Sequence, residues 1–234
     1  MDHPTKGLRA AIVAVVVTGL LVAAAPAATA TRHVMRVHSA GTFTYLDGHT
    51  ATYLWDEGRL TAVDPTSVAL ERIDGTALTF TASDATTCVR VDGLEAHLVN
   101  LVVGQRVAIA SDVTGTQALA IHVGRPHRDT DVPGCRLLRG AVHGDLSDQL
   151  SDGTTRQRSW DRGRISLIAA HRIRIERADG VSVTSIHTPQ TRIVNAPSYW
   201  RLHLGEPVTV VSLVVTDPVG RTDLFALRIR AHRG

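Results

Sequence analysis

The chain has few aromatic residues, two cysteines and a single lysine. Phe, Trp and Tyr make up 4% of its 234 residues, and the apolar residues are mainly Val, Ile, Leu and Ala, many of which suit a half-buried strand. The cysteines lack the paired spacing of a zinc site or a redox motif. Hydrophobic residues are 44% and charged residues 20% of the chain, which excludes a disordered or low-complexity protein. We therefore expect a folded protein that is rich in strands.

The one long apolar run of the sequence lies near the N-terminus. Lys6 and Arg9 precede a run of 16 residues, Ala10 to Ala25, and the small residues Ala28-Thr29-Ala30 follow it. This pattern predicts a cleaved signal peptide over residues 1–30. The alternative is an uncleaved anchor, although the run is shorter than the roughly 20 residues that span a bilayer. We expect an exported protein, extracellular or associated with the cell envelope, and peripheral rather than transmembrane.

Cys88 and Cys135 both follow the predicted signal peptide. An oxidising compartment permits a disulfide bond, and an even number of cysteines in an exported protein fits one. The predicted Cys88–Cys135 bond would connect the first half of the chain to the beginning of the second half. The alternative is a buried thiol at Cys88 and an exposed thiol at Cys135.

The chain contains an internal repeat. Residues 47–89 align without gaps on residues 152–194, at an offset of 105 residues. The strongest match is Trp-Asp-Glu-Gly-Arg-Leu at 55–60 with Trp-Asp-Arg-Gly-Arg-Ile at 160–165. Because a repeat indicates the unit that folds, we predict two similar modules. A segment with two prolines and several charges separates them, so the predicted organisation is a first module at 31–124, a linker at 125–134 and a second module at 135–234.

Each copy of the repeat has the periodicity of strands. Ile173 and Ile175 alternate with Arg172 and Arg174, as in a half-buried strand. Asp-Gly pairs predict hairpin turns, because Gly tolerates positive φ, and they place one hairpin at 68–82 and its twin at 173–187. No segment has the pattern of an amphipathic helix. We therefore predict an all-β protein with two tandem small antiparallel barrels of five to six strands each, since closure hides the strand edges.

The repeated pattern also resembles a known group of proteins. It consists of Gly-Arg-[Leu/Ile], an Asp-Gly turn between two strands, Leu-x-[Val/Leu]-Gly-x-x-Val and a closing Ala-[Ile/Leu]-x-[Val/Ile] strand, and it covers 58–123 and 163–229. It is similar to tandem exported bacterial modules classified as a domain of unknown function. That resemblance implies an oligonucleotide/oligosaccharide-fold-like (OB-like) barrel, and it implies no catalytic residue and no cofactor.

The two modules carry opposite net charge. Residues 31–124 contain 6 arginines and 10 acidic residues, whereas residues 137–234 contain 14 arginines and 9 acidic residues. The modules could attract each other, or the second could present a cationic surface to an anionic polymer. The candidate surface consists of Arg172, Arg174, Arg228 and Arg230, which alternate with apolar residues on two predicted strands. The alternative is an ordinary solvated outer face.

Other residues that recur or cluster have simpler interpretations. Trp55 and Trp160 occupy equal positions, and we expect them to fill the core, with stacking on a sugar as the alternative. Glu71-Arg72 and its counterpart Glu176-Arg177 are predicted cross-strand charge pairs. Histidine and aspartate cluster near 122–131 and 143–152, but neither spacing fits a zinc or calcium site, so we predict no metal.

The sequence favours a binding protein over an enzyme. It has no nucleophile-elbow pattern, no glycine-rich phosphate loop and no paired metal-ligand motif. We predict a non-catalytic exported protein that binds an anionic envelope polymer or another exported protein. Specific nucleic-acid binding is not expected, because the arginine-bearing strands lack interleaved aromatic residues. The alternatives are a spacer protein without a ligand and a hydrolase of envelope polymers.

Overall fold

The computed structural model describes residues 34–124 and 137–232. The first range holds copy 1 of the repeat and the second range holds copy 2. The predicted signal peptide, the predicted linker and Cys135 lie outside the described residues, so the statements about them stay predictions.

The described residues form an all-β structure, as the composition predicts. Copy 1 contains β1 (Arg36–Tyr45), β2 (Thr50–Asp64), β3 (Ser67–Arg72), β4 (Ala77–Thr81), β5 (Cys88–Val91), β6 (Leu94–Ala96), β7 (Arg106–Ser111) and β8 (Ala118–Val123). Copy 2 contains β9 (Ala141–Leu150), β10 (Thr155–Ala169), β11 (Arg172–Arg177), β12 (Ser182–Ile186), β13 (Arg192–Val194), β14 (Pro207–Thr216) and β15 (Thr222–Ala231). Single 3₁₀ turns at Leu98–Asn100 and Tyr199–Arg201 precede β7 and β14. The strands outnumber the predicted five or six per copy, because β5, β6 and β13 are too short to show an alternation in the sequence.

The two predicted hairpins are present. β3 pairs antiparallel with β4 and places Leu70 opposite Leu78, and β11 pairs antiparallel with β12 and places Ile175 opposite Val183. The Asp-Gly turns therefore identify the equivalent hairpin in both copies, and the offset of 105 residues holds in the structure.

All fifteen strands belong to one mixed sheet, whereas the sequence predicted two separate modules. The copies join where β1 pairs antiparallel with β9, and Gly41 lies opposite Leu146, its own equivalent at the offset of 105. The flanking pairs have the same symmetry: Ala40 with Ser147 and Thr42 with Asp145. The pairing therefore relates the copies by an approximate two-fold axis, as in the isologous interface of a symmetric dimer.

Each copy repeats the same order of strand pairing. In copy 2, β10 pairs with both β11 and β14, β11 pairs with β12, and β14 pairs with β15. β12 meets β15 in a parallel pair at Ile186 and Phe225. In copy 1, β2, β3, β4, β7 and β8 follow this order, with a parallel bridge between Thr81 and Gln117. These pairings leave few open strand edges.

Three clusters of buried side chains stabilise the sheet. One lies within copy 1 around Leu70 and Ile109, and another lies within copy 2 around Ile173 and Ile229. The third cluster joins the copies and contains Phe43, Trp55, Leu146 and Trp160. The copies therefore share a core and belong to one compact unit.

Phe43 occupies the centre of the shared core. Its ring is wholly buried and meets the rings of Trp55 and Trp160 edge-on, with 5.8 Å between centroids in both cases. The expectation that the repeated tryptophans fill the core is confirmed, and both are too buried to stack on a sugar.

Candidate anion-binding surface

Each copy has a surface cleft where its long second strand meets the following hairpin. The cleft of copy 2 has a volume of about 450 Å³, and residues along it include Arg162, Gly163, Arg164, Glu176 and Arg177. The cleft of copy 1 has a volume of about 370 Å³, and its lining includes the equivalent residues Glu57, Gly58, Arg59, Glu71 and Arg72. The repeat therefore supplies two versions of one cleft, which can be compared position by position.

The aspartate of the repeated Trp-Asp motif organises an ion-pair network beside the cleft of copy 2. Asp161 accepts a hydrogen bond from Arg177 Nη1 at 3.1 Å, and its Oδ1 lies 2.8 Å from His143 Nδ1. Arg177 also donates from Nε to Asp179 Oδ1 at 3.0 Å. The hydrogen bond of His143 to Asp161 raises the pKa of His143, and the hydrogen bond from Arg177 lowers the pKa of Asp179.

Copy 1 has the same network. Arg72 Nη1 donates to Asp56 Oδ1 at 3.2 Å, and His38 Nδ1 lies 2.8 Å from that oxygen. Arg72 also donates from Nε to Asp74 Oδ1 at 3.2 Å. Arg72 and Arg177 therefore form cross-strand charge pairs, as the sequence predicts, and their partners are Asp56 of β2 and Asp161 of β10. The adjacent Glu71 and Glu176 cannot be those partners, because neighbouring residues of a strand point to opposite faces.

The glycine of the repeated motif permits the two strands of the cleft to approach closely. A Cβ atom on Gly58 would lie 2.2 Å from the carbonyl oxygen of Glu71, and one on Gly163 would lie 2.4 Å from that of Glu176. No real side chain tolerates such distances, so the glycine is required by packing.

The arginine that follows this glycine connects the cleft to a neighbouring turn by a hydrogen bond. Arg59 Nη1 donates to the carbonyl oxygen of Gly104 at 3.1 Å, and Arg164 Nη1 donates to that of Gly205 at 2.9 Å. The features that the copies share therefore maintain the fold, and a functional difference must lie in the residues that the copies do not share.

The first such difference is Glu57 in copy 1 against Arg162 in copy 2. Glu57 is buried, accepts a hydrogen bond from Arg36 Nε at 2.7 Å and lies 3.7 Å from Arg106 Nη2. Arg162 is half-buried, its guanidinium carbon lies 5.4 Å from the ring centroid of Trp160, and burial lowers its pKa. Its Nε is buried without a hydrogen-bond partner among the described residues. In copy 1 the charge of Glu57 is thus neutralised by an arginine, whereas in copy 2 the same position carries the cationic side chain of Arg162.

The second difference is on the outer face of the hairpin strand. β3 of copy 1 has Ser67 and Ala69 where β11 of copy 2 has Arg172 and Arg174. Both arginines are exposed, as the sequence predicts. We name Arg162, Arg164, Arg172 and Arg174 the cationic row; none of the four has a carboxylate within 4.0 Å in the described part of the chain.

The strand register places Arg164, Arg174 and Arg172 on one face of the β10–β11 pair. Arg164 lies directly opposite Glu176, and Arg174 and Arg172 follow on the same face of β11. Residues two apart in a strand are separated by about 7 Å, so successive charges have a spacing that a polyanion can match. Glu176 is the one acidic residue within the row, and its Oε1 lies 3.3 Å from Ser182 Oγ.

The other half of the predicted surface is different. Arg228 is only 4% exposed, and Arg230 is half-buried. β15 is not next to β11, because β12 lies between them on one side and β10 and β14 on the other. Arg228 lies opposite Val211, which belongs to the shared core, so an outward position on β15 is covered rather than solvated. The prediction of one exposed four-arginine surface is therefore wrong for Arg228, and the anion-binding role stays a prediction for Arg172 and Arg174.

The predicted surface contained neither Arg162 nor Arg164. Arg164 has an equivalent arginine in copy 1, Arg59, whereas Arg162 has none. Arg162 lies within the repeated motif, whose other residues Trp160 and Gly163 are explained by packing. The signal that identifies it is the charge reversal relative to Glu57, which is visible in the alignment of the two copies.

Cys88 begins β5 and is half-buried. Since Cys135 lies outside the described residues, the disulfide stays a prediction. Among the residues described here, no group of three or more His, Cys, Asp or Glu side chains could hold a metal ion. In the same part of the chain, no helix has the length and apolar character needed to cross a membrane.

Comparison with known proteins found no family model and no curated protein that matches this chain.

Proposed function

We propose that this protein is a non-catalytic, exported binding protein whose second copy recognises a partner that carries several negative charges. The observation that supports this proposal is the set of copy-specific arginines. Copy 2 has arginine at three positions where the otherwise equivalent copy 1 has Glu57, Ser67 and Ala69.

The electrostatics of the cationic row favour an anionic ligand. Arginine presents a planar fork that suits phosphate and carboxylate groups. Arg172 and Arg174 are exposed, and Arg162 is held against Trp160 in a partly desolvated position, where a charge interacts more strongly than in bulk water. At the cell envelope, anionic groups of this kind, phosphate and carboxylate, occur both in polymers and in lipid head groups.

The absence of catalysis is part of the proposal, and the ion-pair networks support it. His143 and its partner Asp161 are the residues of copy 2 that most resemble an acid–base pair, but Asp161 also accepts a hydrogen bond from Arg177. The same arrangement in copy 1 indicates that it stabilises the fold rather than a reaction.

We further propose that each copy is an OB-like barrel and that the mature protein acts at or outside the cell envelope. The barrel is supported by the closed order of pairing from β10 through β11, β12, β15 and β14 back to β10. The location is supported by the signal-peptide pattern at 1–30.

The proposal is tested by the binding of fluorescently labelled inorganic polyphosphate, measured by anisotropy at low and high salt. We expect binding that falls steeply with salt. A triple variant with Arg162→Gln, Arg172→Ser and Arg174→Ala should lose affinity on the order of 100-fold at low salt, and its salt dependence should fall by roughly one unit of log–log slope per arginine.

The two copies provide matched controls. Arg59→Ala removes the copy-1 equivalent of Arg164 and should leave polyphosphate binding unchanged, whereas Arg164→Ala should weaken it. Ser67→Arg with Ala69→Arg should strengthen binding by adding charge to copy 1. Equal binding by the wild type and the triple variant would overturn the proposal.

A further inference from the structure

We propose that the anionic partner is a lipid bilayer and that copy 2 docks on it by inserting Trp200 and Leu204 beside the cationic row. This inference rests on the proposed function and names the ligand class of the same surface. It rests on a juxtaposition of exposed apolar side chains and unneutralised arginines.

Trp200 and Leu204 are strongly exposed. Their relative exposures are 67% and 68%, and they are four residues apart on the 3₁₀ turn and loop before β14. The other two tryptophans of the chain are buried. A large exposed indole is unusual on a soluble surface, and Trp is enriched where a protein meets the interface of a membrane.

Two hydrogen bonds tie this apolar loop to the two strands that carry the cationic row. On β11, the carbonyl oxygen of Arg172 accepts a hydrogen bond from the hydroxyl of Tyr199, the residue before Trp200, at 2.7 Å. On β10, Arg164 donates to the carbonyl oxygen of Gly205, the residue after Leu204, at 2.9 Å. The apolar loop is therefore held directly against both strands that carry the arginines.

Tyr199 also packs against Trp200 and restricts its side-chain motion. The Tyr199 ring is buried and stacks on His187 with 3.9 Å between centroids, and Trp200 packs against it edge-on at 5.2 Å. Since a fixed side chain loses little conformational entropy on insertion, this arrangement favours docking.

A third apolar side chain lies within the row. Leu167 is partly exposed and lies directly opposite Arg174 across the β10–β11 pair. The row therefore combines an exposed apolar side chain with its arginines, the combination that binds the interface of an anionic membrane.

The comparison of the copies supports a bilayer rather than a soluble polymer. Copy 1 has Ala62, Val99 and Val103 at the positions of Leu167, Trp200 and Leu204. At these three positions copy 2 thus has larger apolar side chains than copy 1, and copy 2 is also the copy with the additional arginines. A hydrophilic polyanion would use the arginines alone, whereas a bilayer uses both kinds of residue.

The test uses vesicles of phosphatidylcholine with and without phosphatidylglycerol, and the fluorescence of Trp200. Because Trp55 and Trp160 are buried, we expect a blue shift and quenching by brominated lipid to report on Trp200, independently of the N-terminal apolar run. Both signals should appear with phosphatidylglycerol vesicles, disappear at high salt and be absent with phosphatidylcholine alone. They should also be absent from a Trp200→Phe variant.

A double variant with Trp200→Ser and Leu204→Ser separates the two proposals. We expect it to lose vesicle affinity at least about tenfold and to bind polyphosphate as the wild type does, whereas the triple arginine variant loses both. The matched control, Val99→Ser with Val103→Ser in copy 1, should change neither. Polyphosphate binding without Trp200 quenching on anionic vesicles would overturn the membrane inference alone, and loss of all anion binding would overturn both proposals.

Discussion

At the scale of single residues, the repeated polar side chains are explained by stability. His143 is hydrogen-bonded to Asp161, which accepts a second hydrogen bond from Arg177. The equivalent network recurs in copy 1, where the cleft has different charges. Because the network is constant while the cleft varies, its function is to hold the hairpin against the long strand.

The raised pKa of His143 predicts a pH-dependent contribution to stability. The hydrogen bond to Asp161 raises this pKa above the unfolded value, so the stabilisation is complete below about pH 6.5 and is lost as the pH rises through the folded pKa. We expect His143→Asn to reduce the free energy of unfolding by about 1 kcal/mol near pH 5.5, and by less near pH 9. Urea unfolding at several pH values measures the difference.

The exposed His203 supplies the control for this measurement. His203→Asn should leave the free energy of unfolding nearly unchanged at every pH. A cost for His143→Asn that is constant from acid to alkaline pH would show that the imidazolium–carboxylate pair is not the source of the effect.

The arginines show what the sequence can and cannot predict for one residue. Alternation with Ile173 and Ile175 correctly predicts that Arg172 and Arg174 point outward. The same pattern fails for Arg228, because alternation assigns a side chain to a face of the sheet and does not determine whether that face is covered. The cover here includes the shared core, which forms only when two distant strands pair.

At the scale of elements, the joint between β1 and β9 contains a buried ionic cluster. Arg158 on β10 donates from Nη2 to Asp148 Oδ1 at 2.6 Å, and both side chains are inaccessible to solvent. Ser39 of copy 1 donates to the same carboxylate at 2.7 Å. Burial raises the pKa of Asp148, but its attraction to Arg158 and these hydrogen bonds outweigh that effect and lower the pKa overall.

The burial of this pair predicts strong coupling between its members. Asp148→Asn should cost about 3–5 kcal/mol of unfolding free energy, because a buried charge loses its partner. The double variant with Arg158→Met should cost less than the sum of the single changes, by about 1–3 kcal/mol. A double-mutant cycle in urea measures this coupling, and Arg156→Met, which removes a more exposed partner of Asp148, should cost less than about 1 kcal/mol. Additive single changes would refute the coupling.

The elements divide into those that local sequence predicts and those that it does not. The β3–β4 and β11–β12 hairpins follow from Asp-Gly turns and short-range alternation. The β1–β9 pair does not, because β1 contains His, Ser, Gly and Thr at positions that suit either face. Its register depends on side chains from seven strands that meet in the shared core, and nothing in the local sequence of β1 specifies that partner.

At the scale of the whole molecule, the copies form an internal pseudo-dimer. Gly41 and Leu146 are equivalent positions that pair with each other, so the joint has the symmetry of a two-fold interface. The continuous sheet keeps the scaffold of the copies similar while their surfaces diverge. One copy can therefore carry the cationic row while the other has Glu57, Arg59, Ser67 and Ala69 at the same sites.

The shared core predicts that both copies unfold together. Hydrogen exchange at increasing denaturant should show the same midpoint for the β3–β4 hairpin and the β11–β12 hairpin. Phe43→Ala should lower the free energy of unfolding by about 3–5 kcal/mol and separate the two midpoints, because Phe43 contacts both Trp55 and Trp160.

Phe80→Ala provides the matched control, since Phe80 is equally buried but lies in the core of copy 1. If the shared core couples the copies, Phe80→Ala should destabilise the protein while the midpoints of the two hairpins stay equal. Separate midpoints in the wild type would show instead that the β1–β9 joint connects two modules that fold independently.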